Sequence, residues 1–315
     1  MYRYEKYLLE LGYSKSTIAS NISKVEYFLR WTEKNQLKII ACNYESFLDF
    51  IDNAIKDYTD RNNVVVTVNR ILTAVSLYYD YLIIERPNLV NQCKSLRIKN
   101  PRKPIVSNLL TRKELLEIYF NLPKATDRDI RNRVIYGLMI FQALTTGELM
   151  RLQLHDLNFE NGTVKIEGDS DNRLKKGNKQ RTLLLEAKQI FDLLNYLDNI
   201  RPKILANYYY KMPGRKPDES NTALSTSNQL ILSMFCSPGI KNSMLHLLGW
   251  IKKQYPAVRN TVQIRQSVIA YWITKYNLRV VQYMAGHRYV GSTEYYKQVD
   301  INNLKREILE FHPMD

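Results

Sequence analysis

The sequence predicts a mainly α protein of two domains, the second carrying a small three-stranded antiparallel sheet. Three observations predict it. The chain has 315 residues, enough for two hydrophobic cores of ordinary size. Apolar residues recur every three or four positions over most of its length. Between Asn158 and Leu185 the period shortens to that of a strand, and Asn161-Gly162 marks a tight turn there.

The first helical run, YEKYLLELGY, stops at Gly12, a residue suited to a helix C-terminus. Ser14 stands where it can cap a second helix, in which Ile18, Ile22, Val25 and Leu29 form one stripe. A third helix is expected over 44–58, with Phe47, Ile51, Ile55 and Tyr58 on one face, and a fourth over 63–85. Val64, Val65 and Val66 favour a strand by propensity. The helical period continues for turns beyond them, through Val68, Leu72, Val75, Tyr79 and Leu82, and no hairpin signal stands beside them. These helices make a bundle over residues 1–98. Lys15, Lys24, Arg30, Arg61 and Arg70 on its edges read as a solvated surface, with phosphate contact as the alternative.

Residues 87–110 hold Pro87, Pro101 and Pro104 and no acidic residue, the composition of a linker. Its centre, 99–107, divides the bundle from a second domain over 108–315. Lys94, Arg97, Lys99, Arg102 and Lys103 make the stretch strongly basic, which suits a strap along a nucleic-acid backbone. Thr111 and Glu114 form a capping box for the next helix. Helices follow over 127–143 and from Thr146 to before Asp156. A hairpin spans Asn158 to Gly168, and a third strand runs from Arg181 to Leu185. Helices resume over 186–207, and 208–226 reads as an exposed loop. Further helices are expected over 242–255, 262–276 and 278–286, with an amphipathic tail over 301–312.

Lys plus Arg outnumber Asp plus Glu by 46 to 31, a formal charge of +15, with a pI near 9.5. Such an excess points to a polyanion, most often nucleic acid, because Lys and Arg release the counterions condensed on phosphates. A membrane surface is the competing reading. No run approaches the roughly 20 apolar residues of a spanning helix, and MYRYEKYLLELGY has no apolar signal core. Cys42, Cys93 and Cys236 are odd in number and lack paired ligand spacing, which fits a reducing compartment without structural zinc. The 23 tyrosines read as packing rather than as stacking platforms for bases.

The most informative stretch is AGHRYVGSTEYY at 285–296, in which Tyr296 stands nine residues after His287. Upstream, Arg265 lies in VQIRQSVIAYWI, where a surface charge is hard to reconcile with its apolar neighbours. Lys176 lies in KKGNKQRTLLL, with Lys175 and Lys179 beside it. The order Lys, Arg, Gly-His, Tyr resembles the catalytic half of the tyrosine recombinases, the phage-integrase family of DNA strand-exchange enzymes. The resemblance covers nearly the whole chain. It implies a helical N-terminal core-binding domain joined to a tyrosine-recombinase catalytic domain. It also implies Tyr296 as nucleophile, with Arg265, His287 and Lys176 as its catalytic partners and Lys179 among the DNA contacts. In such chemistry a tyrosine attacks phosphorus, cations offset the charge gathering on the nonbridging oxygens, and an acid protonates the departing 5'-oxygen.

Two positions depart from the family pattern. QALTTGELMRLQLHDL, at 142–157, resembles the TGLRxxELxxLxxxDI box through Glu148, Leu149, Leu152, Asp156 and Leu157, but Thr145 stands where its arginine belongs. Val262 likewise occupies the histidine position of the HxxR box. Arg131, Arg133 and Arg151 flank the first gap, and Arg133 is the favoured replacement cation. For the second, Gln263 or Gln266 offers a neutral hydrogen bond. Glu148 and Asp156 read as structural or as orienters of the cations. The acidic residues form no metal-holding triad of the kind transposases use, so neither metal nor cofactor is expected.

The resemblance further implies double-stranded DNA as partner and a homo-tetramer on two recombination sites, exchanging strands through a Holliday junction. DNA-bending accessory proteins are possible additional partners. The setting it implies is cytoplasmic and nucleoid-associated, on a mobile element or bacterial chromosome. Thr145 and Val262 motivate an alternative, a recombinase-derived DNA-binding protein that no longer cleaves. A type IB topoisomerase-like relaxing enzyme is a third reading.

Overall fold

A computed structural model describes residues 2–59, 63–99, 108–168, 177–210, 228–234 and 239–297, with backbone alone at 206–210. Arg61, Arg102, Lys103, Lys176, Cys236, nearly all of the loop expected over 208–226 and the tail over 301–312 lie outside the described residues. The described chain divides into two compact units, one up to residue 99 and one from residue 108. It is mainly helical, with one three-stranded sheet. No described helix is long and apolar enough to cross a membrane.

The first unit contains α1 (Tyr2–Glu10), α2 (Lys15–Lys34), α3 (Tyr44–Asp57) and α4 (Val64–Glu85). The three valines open α4, so the longer apolar period outweighs their strand propensity. Phe28, Phe47, Phe50 and Tyr79 fill the core; Phe28 meets Phe50 edge-on with ring centroids 5.0 Å apart. Tyr4 and Leu8 of α1 pack with Ile18, Val25 and Ala74 in a second cluster, ringed by Tyr7, Tyr78 and Tyr81. Most tyrosines of this unit serve packing, whereas Tyr2 and Tyr44 are exposed. Ser14 precedes α2, but its hydroxyl bonds Thr17 Oγ1 at 2.8 Å instead of a backbone amide.

The stretch after Pro87 differs from a free linker. Cys93 and Leu96 are buried in the core, and Asn69 of α4 both donates to the Ile98 carbonyl and accepts from its amide, each at 2.9 Å. A side-chain amide that mimics a strand partner thus holds 91–98 on α4, which composition alone does not reveal. Lys94, Arg97 and Lys99 are exposed along it.

The second unit is built around α6 (Asp127–Phe141), whose residues 133–140 are all buried. Around it stand α5 (Arg112–Asn121), α8 (Ala187–Asn195) and α11 (Thr261–Lys275). A single π-turn, Tyr196–Ile200, joins α8 to α9 (Arg201–Tyr210). The remaining helices are α7 (Thr146–Arg151), α10 (Lys241–Gln254), α12 (Leu278–Ala285) and α13 (Gly291–Glu294). The expected capping box is present at Thr111 and Glu114, and others stand at Thr126–Asp129 and Thr145–Glu148.

The sheet comprises β1 (Leu157–Asn158), β2 (Thr163–Ile166) and β3 (Arg181–Leu184) in the order β1-β2-β3, all antiparallel. Gly162 turns the hairpin at φ +59°, in the left-handed region. Ile166 pairs with Arg181 and Val164 with Leu183. Alternation therefore places Arg181 on the buried face of β3 beside Leu183.

Candidate active site

Glu148 lies at the centre of the site. It is the third residue of α7, and its Oε2 accepts from the Thr145 amide at 2.8 Å while Thr145 Oγ1 accepts from the Glu148 amide. The residue at the expected arginine position is therefore a helix cap. The Glu148 side chain is wholly buried between two guanidiniums: Arg181 Nη1 donates to Oε1 at 2.6 Å, and Arg265 Nη1 lies 3.5 Å from Oε2. Asn178 adds a hydrogen bond to Oε1 at 3.0 Å. Burial alone would raise this carboxyl's pKa. The hydrogen bond and charge of Arg181, then Arg265 and the Thr145 amide, outweigh it and hold it down to about 2.

Arg265 enters from α11 and gathers the ends of two other helices. Its Nη1 donates to the carbonyl of Ala143, just past α6, and its Nη2 to that of Ala285, the last residue of α12, at 2.6 Å. A cation suits these positions, because unpaired carbonyls concentrate negative charge at helix C-termini. Ala143 reaches its place at φ +51°, an uncommon conformation for a residue with a side chain.

Gly286 ends α12 at φ +70° in a Schellman motif, with its amide on Tyr283 O and the His287 amide on Gln282 O. Its bareness serves a second end. A Cβ built there would lie 2.7 Å from Arg181 Nη1 and 3.1 Å from the Lys179 carbonyl, and the Lys179 amide donates to Gly286 O at 2.8 Å. Gly286→Ala is expected to cost roughly 2–4 kcal/mol from left-handed strain plus overpacking, read as a lower urea midpoint at unchanged m-value.

The motif delivers His287 to the site. Its Nδ1 lies 2.9 Å from Oγ1 of the buried Thr293, which fixes the ring. Burial, then Arg265 and Arg181, depress its pKa to about 4, so the imidazole is neutral at pH 7. The Tyr296 ring lies nearly parallel to it, centroids 6.3 Å apart. Burial raises the Tyr296 pKa, while Arg265 and the Gln266 amide oppose the rise. Both depressed groups affect stability in one direction. As pH falls below 6.5 the unfolded chain protonates its histidine, while folded His287 resists until about pH 4; Glu148 repeats this from 4.5 to about 2. Stability is therefore fully present above pH 6.5 and declines on acidification. Unfolding at pH 5 should take up close to one more proton in the wild type than in His287→Asn, measurable from the pH dependence of the urea transition.

Arg265, His287 and Tyr296 thus lie together in the structure. Gln266 faces the Tyr296 phenol. Gln263 does not, because its side chain ties Asn108 O, Ala257 O and the Arg259 amide. Val262 is 59 % exposed on the first turn of α11. Lys179 has an exposed side chain.

Arg133 corrects the expectation of a replacement cation. It is buried, 3.0 Å from Asp192, donates to Tyr119 O at 2.5 Å and lies over the Tyr119 ring at 4.4 Å. At 1.5 Å per residue it stands about 12 Å along α6 from the end that reaches the site. Arg131 is likewise engaged elsewhere, with Asn132 and Leu232 O. The second cation of the site beside Arg265 is Arg181, which is not among the residues expected from the sequence. Its signal was a charge at a core-facing position of RTLLL, in phase with Leu183 and Leu185.

Residues 108–212 match the model of the phage integrase family. The chain is 20 % identical to tyrosine recombinase XerC of Staphylococcus epidermidis, over 97 % of this chain and 94 % of that protein. It is 23 % identical to tyrosine recombinase XerD of Staphylococcus saprophyticus, over 98 % of each. The XerH site-specific recombinase bound to a palindromic difH substrate shares the fold at a TM-score of 0.69 and 16 % identity, over 92 % of this chain and 78 % of that one. A lambda integrase dimer bound to a COC' core site does so at 0.61 and 13 %, over 93 % and 92 %. The family match over residues 108–212, the end-to-end similarity to tyrosine recombinases and the common fold agree in relating this chain to the phage integrase family, the tyrosine recombinases.

Proposed function

We propose that the protein is an active site-specific recombinase that cuts and rejoins DNA through a 3'-phosphotyrosyl bond, using neither metal nor cofactor. The observation that carries this reading is the Arg265 guanidinium, held by Glu148 and two helix ends and acting on the charge of both His287 and Tyr296. Tyr296 Oη attacks phosphorus and the bond to the 5'-oxygen breaks. The leaving oxygen takes its proton from the Lys176 ammonium. In the tautomer whose Nδ1–H donates to Thr293, His287 Nε2 carries the lone pair that accepts the phenolic proton. Arg265 grips the nonbridging oxygens, where charge builds in the transition state. The phosphotyrosyl bond conserves the energy needed for rejoining.

The basic stretch Lys94, Arg97, Lys99, Arg102 and Lys103 would follow the DNA backbone between a core-binding domain, 1–98, and a catalytic domain, 108–315. The assembly proposed is a homo-tetramer on two sites, exchanging strands through a Holliday junction in the bacterial cytoplasm. Sites selected by binding from genomic fragments provide the test. A plasmid carrying two copies should give recombinant products at the sites, and a plasmid with none should remain supercoiled. Relaxation of the site-free plasmid would point instead to a topoisomerase-like activity, and tight binding with neither product to a DNA-binding protein that has lost cleavage.

A further inference from the structure

Glu148 poses an electrostatic problem for any phosphate chemistry at Arg265. A buried carboxylate in contact with an arginine cancels the charge that the arginine would offer to a phosphate, and the pair alone is neutral. Arg181 changes that balance. Its side chain is wholly buried, and among the described residues Glu148 is the hydrogen-bond and ion-pair partner of its guanidinium. Two guanidiniums around one carboxylate leave a net charge of +1.

We propose that Arg181 is a positioning residue for strand cleavage: it saturates Glu148 from the side of β3, so that Arg265 keeps its charge for the scissile phosphate. The inference rests on the strand-cleaving reading above, and it assigns to Arg181 the compensation for the uncharged Thr145. Three observations bear on it. Among the described residues Arg181 Nε and Nη2 are buried without a hydrogen-bond partner, so this guanidinium is not a multiply bonded structural cross-link there. An apolar residue in phase with Leu183 would avoid the desolvation of a buried ion pair, which makes the arginine a costly choice for stability alone. The field of Arg181 also extends beyond Glu148, since it adds to burial and Arg265 in disfavouring protonated His287. Gly286, whose missing Cβ leaves room for Nη1, lets the Ala-Gly-His segment pass directly over the guanidinium.

The test compares covalent cleavage of a nicked site carrying either the natural phosphodiester or a methylphosphonate at the scissile position, which lacks the nonbridging charge. On the phosphodiester, Arg181→Met should cleave about 10²-fold or more slowly than wild type, as for loss of one oxyanion-stabilising donor, with DNA affinity unchanged. On the methylphosphonate the deficit should shrink to a few-fold. The double variant Glu148→Gln/Arg181→Met restores a cluster charge of +1 and should recover most of the phosphodiester rate. Arg181→Lys, which keeps the charge, should stay within about tenfold of wild type, one charge-assisted contact being worth about that much. Equal deficits on both linkages, or a folded double variant no faster than Arg181→Met, would assign Arg181 to structure only and overturn the inference. If Arg181→Met fails to fold, the double and lysine variants are compared with wild type: phosphodiester rates within about tenfold of wild type support the inference, and larger deficits that are equal on both linkages overturn it. A wild type that cleaves neither linkage would instead remove the strand-cleaving reading on which the inference stands.

Discussion

Replacement of Tyr296 by phenylalanine is expected to abolish every covalent protein–DNA product while leaving folding and DNA binding unchanged. Tyr296 is half-buried and packed against the core, with its ring nearly parallel to that of His287. Phenylalanine keeps that packing and removes only the hydroxyl, a change worth about 1 kcal/mol or less in stability. The nucleophile is then gone, and no rearrangement of the cations can replace it. Tyr295 provides the control. Its ring stands edge-on to that of Tyr296, with centroids 5.8 Å apart, and Tyr295→Phe should retain the covalent band. The two variants, run side by side on a denaturing gel with a nicked site, separate the nine-residue spacing after His287 from the mere presence of a tyrosine pair.

The second large effect concerns stability. Glu148→Ala should destabilise the protein by about 3–5 kcal/mol, because it strands buried guanidiniums without their carboxylate. Arg181 is the more sensitive of the two, its side chain being 0 % exposed against 11 % for Arg265. The substitution also removes the acceptor that caps α7 through the Thr145 amide. Glu148→Gln keeps an acceptor for Arg181 and should cost clearly less. Urea unfolding at pH 7 gives both values, and a loss below about 1 kcal/mol for the alanine variant would mean that water readily reaches these guanidiniums.

The helices and the hairpin were legible because their signals are local. Val64, Val65 and Val66 entered a helix as the longer period required, and Gly162 turned the hairpin where Asn-Gly predicted it. Arg265 was legible for a different reason: a charge among Val262, Ile264, Val268 and Ile269 asks for a partner. The same logic holds for Arg181 in β3, but four residues of strand give a weak period, and Lys175, Lys176 and Lys179 offer competing cations just before it in the sequence. Arg133 failed because helix direction is not written in a sequence. The choice among arginines near Thr145 depended on which face of α6 meets α5 and α8, a matter of tertiary packing. The docking of 91–98 on α4 was hidden for a similar reason, since Asn69 gives no sign of its partner twenty-nine residues away.

The departures at Thr145 and Val262 acquire a physical reading in this arrangement. Thr145 still performs the backbone task of its position, capping α7 and holding Glu148, while positive charge arrives from Arg181. Gln266 stands beside the phenol and Val262 faces solvent, so the hydrogen-bonding capacity expected from the HxxR box sits four residues further along α11.

The most direct test of the account is covalent trapping by the wild-type protein. A binding-selected site, nicked so that the short 5'-hydroxyl fragment diffuses away, is incubated with protein and excess EDTA, denatured and resolved by gel. The account predicts a metal-independent covalent band whose proteolytic peptide carries the nucleotide on Tyr296. Tight, specific binding with no covalent band on several such sites would contradict it.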